Sequence, residues 1–353
     1  MKSFKTFAIA SAVGAAVALS GGAAFAVNDA PLTENWAPTE WGADDKIGAP
    51  NRTTAAMVLK AVALVKRGKV ATLGKIYAGD APFFGSRGWR LTIPGLPTGG
   101  PFGPQMLMYN DEMLSTEIGQ VGTQFDGPGH IGVRTSKGDF FYNGRFLTDD
   151  GISAYGMGPL GVEHVAQVGF VCRGVLLDAV ALRGGQVPIP VATGLDDPGI
   201  ISPADIDAMI AAQGIDPIGE GDCVFLHTGH GDIWSPTDWD TYDAAEKKRR
   251  VELFNSGEPG FGISACEYLA SKKIILTGAD TWAVDAVGPD FGGETEQAVE
   301  CHIHMQTKRG IWNLENLDLT QLVADKAYEF LFAWSPLKIK GGTGSPGNPI
   351  AMY

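Results

Sequence analysis

The chain is short of several features that usually mark a protein's chemistry early. Its four cysteines include no Cys-x-x-Cys pair, which removes zinc ribbons and thioredoxin-type redox motifs. No Gly-x-Ser-x-Gly elbow occurs, so the serine-hydrolase route built on that turn is disfavoured. Basic residues are scarce: 27 Lys and Arg stand against 40 Asp and Glu, a net charge of −13. Such a surface repels phosphate backbones, so no nucleic-acid partner is expected. No segment reaches the roughly 20 consecutive apolar residues that a membrane span requires. Fixed-period repeats and low-complexity blocks are also missing.

What is present begins with a leader. Lys2 and Lys5 precede an apolar run from Phe7 to Leu19, and Ala24-Phe25-Ala26 follows as a small-x-small cleavage pattern. Residues 1–26 therefore read as a signal peptide and residues 27–353 as one exported domain, periplasmic or secreted and free of the membrane once cleaved. Export permits disulfides, and four cysteines allow three pairings. Cys172 and Cys223, however, lie in apolar runs ("VGFVCRGVLLD", "DCVFLHTG") where cysteine commonly serves as a small buried hydrophobe. Free thiols are the expectation.

Helices and strands alternate over the second half. "TTAAMVLKAVALVKRG" has helical apolar spacing with Gly68 as its stop. "SPADIDAMIAAQG" opens on Ser202 as N-cap with Pro203 at the first helical position. "SACEYLASKK" carries Ser264 and Glu267 at capping-box spacing. The runs "VGFVCRGVLLDAV", "DCVFLHTG", "KKIILTGAD" and "GIWNLENL" are rich in β-branched residues and read as strands. This order argues for α/β layering in a single domain. Ala81 to Gly151 reads as loops and short strands, with Tyr142–Arg145 ("YNGR") an Asn-Gly turn. Trp234–Lys248 reads as a surface insertion, and the tail "SPLKIKGGTGSPGNPIAMY" as irregular extended chain.

The chemistry concentrates in "EIGQVGTQFDGPGH", Glu117 to His130. On a strand, Gln120, Gln124 and Asp126 share one face. The Gly127-Pro128-Gly129 turn can return His130 beside them. Amide oxygen, carboxylate and imidazole are all competent metal ligands. A second cluster lies in "ECHIHMQTKRGIWNLENLDL", with His302, His304 and Glu315. Glu315 in an apolar strand-like run is costly to bury unless paired or bound to a cation. His302 and His304 would share a strand face, so periodicity does not choose between them. Trp41 and Trp89, near glycine-rich loops, are candidates for a substrate-binding wall. His227 and His230 are a weaker candidate pair for a second metal, while Asp280 and Asp285 read as structural or supporting groups.

Together these motifs resemble the metal-dependent hydrolases of the cyclase / kynurenine formamidase type. The family pattern His-x-Gly-Thr-His-x-Asp-x-Pro-x-His aligns with "QVGTQFDGPGH" at Gly122, Thr123, Asp126, Pro128 and His130. The likeness continues through "WGADDKIGAPN", "FLHTGHGDIW", "GADTWAVDAVG", "GIWNLENLDL" and "PLKIKGGTGSP". Both histidines of the usual pattern are glutamine here, Gln120 and Gln124, which resembles the subgroup containing trans-dienelactone hydrolase.

That resemblance implies a single-domain mixed β-sheet core with flanking helices, of the swivelling β/β/α kind, and usually a homo-oligomer. It draws the metal ligands from Gln120, Gln124, Asp126, His302 and Glu315, prefers His302 to His304, and makes His130 the acid/base. Amide oxygens in place of imidazoles harden the site, favouring Mn²⁺ over Zn²⁺. The implied reaction on a small-molecule substrate is metal-assisted hydrolysis of a lactone or cyclic amide. Two other readings stand beside it: an arylformamidase acting on an N-formyl amine, and a periplasmic binding protein that has lost catalysis.

Overall fold

Nine strands form one mixed sheet in the computed structural model, which describes residues 26–191, 197–235, 237–289 and 300–353. The expected leader lies outside the described residues except for its last position. In chain order the strands are β1 (Val70–Thr72), β2 (Gln124–Asp126), β3 (Phe170–Asp178), β4 (Cys223–His227), β5 (Leu276–Ala279), β6 (Trp312–Glu315), β7 (Glu329–Trp334), β8 (Gly344–Pro346) and β9 (Ile350–Met352). Across the sheet they run β1-β9-β7-β3-β4-β5-β6-β2-β8. The central four, β3 to β6, are parallel, and the pairs on either side are antiparallel.

The apolar character of the central strands explains their place. β4, β5 and β6 are buried along their whole length, as parallel strands covered on both faces must be. Parallel neighbours need a crossover, and helices Pro203–Gln213 and Ile263–Ser271 lie in two of these. The first has the expected N-cap: Ser202 Oγ accepts the Asp205 N–H, and Asp205 returns the bond to the Ser202 N–H. Gly214 closes it at φ 65°, the left-handed turn glycine adopts without strain. One arginine is buried within this framework. Arg173 on β3 bonds Asp222 at 2.9 Å, Glu329 at 2.8 Å and the carbonyls of Asp216 and Pro217.

Several local expectations change. The first long helix covers only Ala55–Val62: the Leu64 and Val65 N–H groups fold back on the Ala61 and Val62 carbonyls in tight turns, and those of Arg67 and Lys69 go to the Tyr353 carbonyl ahead of β1. Helix Ile263–Ser271 is capped by Gly262, so Ser264 lies inside it and Glu267 instead binds Arg309 and His304. The stretch after Trp234 is not a loose insertion. Trp234, Trp239 and Phe254 pack with Ile233 and Trp282 in a second apolar cluster. The C-terminal tail, expected to be irregular, supplies β8 and β9.

The cysteines also differ from expectation. Cys172 pairs with Cys223 across β3 and β4, and Cys266 pairs with Cys301. Each pair is remote in sequence, by 51 and 35 residues, and only the fold brings them together.

Between residues 89 and 118 two ribbons project from the body: Trp89–Thr92 with Met113–Thr116, and Gly99–Phe102 with Leu107–Tyr109. They leave a row of large apolar side chains in solvent, among them Leu96 at 83% exposure and Met113 at 66%.

Candidate active site

Antiparallel pairing of β2 with β6 sets Gln124 directly opposite Glu315. Opposed residues on such strands have their side chains on one face about 5 Å apart, and Asp126, two residues on, shares that face. Phe125 between them points the other way, into rings Phe170 and Trp334. Gln120 precedes the strand in a turn, not on the strand face expected for it.

Tight packing explains the glycines of this segment. A Cβ at Gly122 would stand 2.5 Å from the Tyr77 ring, and one at Gly127 would stand 2.7 Å from the Thr343 carbonyl. The turn after Asp126 closes with the His130 N–H on the Gly127 carbonyl at 3.0 Å. This brings His130 Nε2 to 3.6 Å from Asp126 Oδ1.

His302 reaches the same point from a helix rather than a strand. A short α-turn, Glu300–His302, runs into a single π-helical stretch, Ile303–Thr307. Such π-turns often occur at functional sites. On a helix, residues two apart point in nearly opposite directions, which separates the two histidines. His304 turns away to Glu267 and the Trp36 ring. His302 Nε2 lies 3.0 Å from Glu315 Oε1 and 3.3 Å from Asp126 Oδ2. Asp285 stands behind it, Oδ1 at 3.3 Å from Nδ1 and Oδ2 accepting the His302 backbone N–H at 3.3 Å. Gln306, one helical turn on, reaches Asp126 Oδ2 at 3.5 Å.

The amides knit the carboxylates together. Gln120 donates to Asp126 Oδ1 at 2.7 Å, and Gln124 donates to Gln120 Oε1 at 2.9 Å and to Glu315 Oε2 at 2.6 Å. Gln124 Oε1 remains buried without a hydrogen-bond partner. Asp126, His302 and Glu315 are all buried and present ligand atoms within 4.8 Å of one another, a set able to hold a metal ion.

Protonation describes the same demand in another form. Burial alone would raise the Asp126 carboxyl, but His130, His302 and the Gln120 amide hold it well below the usual carboxylate range. Burial and the neighbouring Asp126 charge push Glu315 well above it. Burial opposes a charge on His302, yet Asp285, Asp126 and Glu315 raise it far above an ordinary histidine. Without a cation, burial and the Asp126 charge favour the protonated form of Glu315, and the surrounding carboxylates favour the protonated form of His302. Asp126, Glu315 and His302 would hold a divalent ion in place of those protons, with both carboxylates ionised and the imidazole neutral, and Gln124 Oε1 is a buried oxygen free to face it. The donor set fits such an ion. His130 differs from His302: burial lowers its pKa, with Asp126 opposing, so it is neutral near pH 7.

A cavity of about 170 Å³ opens beside this cluster. Its walls are Phe84, Phe254 and Trp282, with Arg87 and Glu258 among its polar groups. Glu258 is buried, its oxygens accepting the N–H groups of Trp282 and Ala283, and burial pushes it up to about 8. Trp41 and Trp89 do not line the cavity. Trp41 lies under the Arg52 guanidinium and against the core, and Trp89 stacks on Tyr77 at the root of a ribbon. The aromatic wall comes from residues that sequence reasoning passed over, because their role depends on the second apolar cluster. Gln306 was likewise missed, though its four-residue spacing from His302 is a helical signal.

His227 and His230 do not converge. His227 Nδ1 lies 3.0 Å from Asp178 Oδ1, while His230 Nε2 meets the Phe254 carbonyl. Asp280 is structural, accepting the N–H groups of Thr228, Gly229 and Gly231.

Comparison with known proteins follows the same outline. The Cyclase family model matches residues 57–286. Isatin hydrolase of Roseibium aggregatum is 33% identical over 163 residues, 44% of this chain and 54% of that protein, so the chain spans about half the length of this curated relative. Among solved structures, a novel cyclase superposes with a TM-score of 0.73 at 27% identity, covering 90% of this chain and 99% of that one. An isatin hydrolase bound to the product analogue thioisatinate gives a TM-score of 0.52 at 20% identity, over 85% of this chain and 99% of that one, and shares the fold.

Proposed function

Because the chain belongs to the cyclase family, we propose that it is a metal-dependent hydrolase opening a small cyclic amide or cyclic ester. The observation that carries this reading is the meeting of Asp126, His302 and Glu315 beside His130 at the wall of one cavity. When bound there, a divalent cation would polarise the substrate carbonyl and acidify a water. Asp126, Glu315 and His302 would hold it, and Gln124 Oε1 is one of the buried oxygens at the cluster without a hydrogen-bond partner. Gln120 braces Asp126 and Gln124. The oxygen-rich set favours manganese over zinc.

The chain's own groups then perform the proton transfers. Neutral His130 takes a proton from the attacking water as oxygen adds to the carbonyl carbon. The C–N or C–O bond of the ring breaks, and His130 returns that proton to the departing nitrogen or oxygen. Phe84, Phe254 and Trp282 exclude bulk water and offer flat apolar surface to a ring. A cavity near this volume accommodates a single benzene-sized ring. The relative's name, isatin hydrolase, supports a cyclic amide. The glutamine pair, as in the trans-dienelactone hydrolase subgroup, adds the lactone.

Two wider features complete the reading. The paired cysteines support export to an oxidising compartment. The exposed apolar side chains of the two ribbons support a homo-oligomer, since apolar surface of this kind serves protein–protein contacts.

The test is an assay of the purified chain, loaded with manganese, on phthalide, isatin and formanilide. Ring opening that disappears in both Glu315→Gln and His130→Ala supports the proposal. Cleavage of formanilide alone would make the protein a formamidase, and binding without turnover would make it a binding protein.

A further inference from the structure

Valine is poorly suited to left-handed backbone, because its branched Cβ crowds the neighbouring carbonyl. Among the described residues, seven other than glycine have positive φ, and Val284, at 64°, is the one with a branched Cβ. Its side chain is buried in the main core. Its place in the chain gives the strain a use. Trp282, two residues earlier, lines the active-site cavity, and Asp285, the next residue, faces both His302 Nδ1 and the His302 N–H. Strain of this kind persists where the surroundings over-determine it. Here they come from residues 258–261. Glu258 and Val287 exchange backbone bonds at 2.7 and 2.8 Å, while Phe261 donates to the Val284 carbonyl and accepts from the Ala286 N–H, each at 3.0 Å. Gly260 permits the contact, since a Cβ there would stand 2.3 Å from the Asp285 carbonyl carbon. These backbone bonds begin at Val284. On its other side the tie is a side chain: buried Glu258 accepts the Trp282 N–H at 2.6 Å and the Ala283 N–H at 2.5 Å.

We propose that Glu258 is a positioning residue for the site: its carboxyl clamps Trp282 and Ala283 so that Val284 stays left-handed, which keeps Asp285 against His302 and Trp282 in the cavity wall. It reaches the metal ligand through Asp285 and the substrate through Trp282. The consequence for catalysis rests on the hydrolase reading above, whereas the clamp itself does not. Two substitutions separate the parts. Glutamine at 258 keeps the shape but turns its NH₂ group toward one of the two N–H donors, so one tie is lost. Glycine at 284 adopts positive φ without strain and removes the need for the tie.

The test compares wild type, Glu258→Gln, Val284→Gly and the double variant. It measures manganese dissociation against a competing chelator, KM and kcat for phthalide at saturating manganese, and deuterium exchange over residues 282–286. In Glu258→Gln the manganese dissociation constant and KM each rise about tenfold, kcat stays within about threefold, and exchange quickens. In the double variant the dissociation constant and the exchange return to within about threefold of Val284→Gly alone. A lower melting temperature in Glu258→Gln with unchanged dissociation constant and KM would show a merely structural role and overturn the proposal. A tenfold weakening that persists in the double variant overturns it too. Should Glu258→Gln fail to fold, a folded double variant supports the clamp and an unfolded one overturns it. If wild type opens no lactone, the hydrolase reading fails, and exchange still decides the clamp: equal rates in wild type and Glu258→Gln overturn it.

Discussion

Replacing Asp285 by asparagine removes one negative charge from behind His302 while keeping the side chain's size and one of its oxygens. In the native chain that carboxylate faces both His302 Nδ1 and the His302 backbone N–H, each at 3.3 Å. It is also the foremost group opposing burial in raising the His302 pKa. A carboxylate behind a metal-ligating imidazole fixes its tautomer and increases its basicity, and losing one typically weakens metal affinity 10- to 100-fold. That corresponds to about 1.4–2.8 kcal/mol. The assay is a manganese titration of wild type and Asp285→Asn against a competing fluorescent chelator. His304→Ala is the control, because His304 faces Glu267 and Trp36 instead. The expected outcome is a dissociation constant 10- to 100-fold higher in Asp285→Asn and unchanged in His304→Ala. Equal affinity in Asp285→Asn and wild type would refute the placement of the ion on His302.

Three further outcomes follow from the packing. Arg173→Leu strands the buried Asp222 carboxylate and should lower unfolding free energy by about 3–5 kcal/mol, read from urea midpoints. Removing the Cys266–Cys301 bridge with a double Cys→Ala substitution opens a 35-residue loop; it should cost about 4 kcal/mol and weaken manganese binding, since Cys301 adjoins His302. Glu258 has a folded pKa of about 8, above its unfolded value, so its contribution is fully present below that unfolded value and is lost as pH rises through about 8. Wild type should therefore lose up to about 1.4 kcal/mol per pH unit relative to Glu258→Gln between pH 5 and 8, and a flat difference in melting profiles would contradict this.

The site's first half was legible because its signal is local. Gln124, Asp126 and His130 sit within seven residues, among glycines whose tight contacts have physical causes, and Glu315 stood out as a carboxylate in an apolar run. The parallel strands were legible for the same reason: unbroken apolar runs with β-branched residues. What stayed hidden depends on distant pairing. His302 was chosen by resemblance, because a strand reading put it on one face with His304, whereas the helix separates them. The disulfides join residues 51 and 35 apart in sequence, and no local pattern announces them. Likewise the polar, glycine-rich tail became strands only because β2 and β7 offered it edges. The aromatic wall, with Phe254 and Trp282, exists only where separate segments pack into the second apolar cluster.

Everything proposed for the site depends on Asp126, His302 and Glu315 jointly holding one divalent cation. Elemental analysis of the purified chain, beside His302→Ala and Glu315→Gln prepared identically and shown to be folded, tests it most directly. The expected result is about one manganese per wild-type chain and little in either variant. A metal-free wild type after manganese loading, or unchanged content in folded His302→Ala, would contradict it.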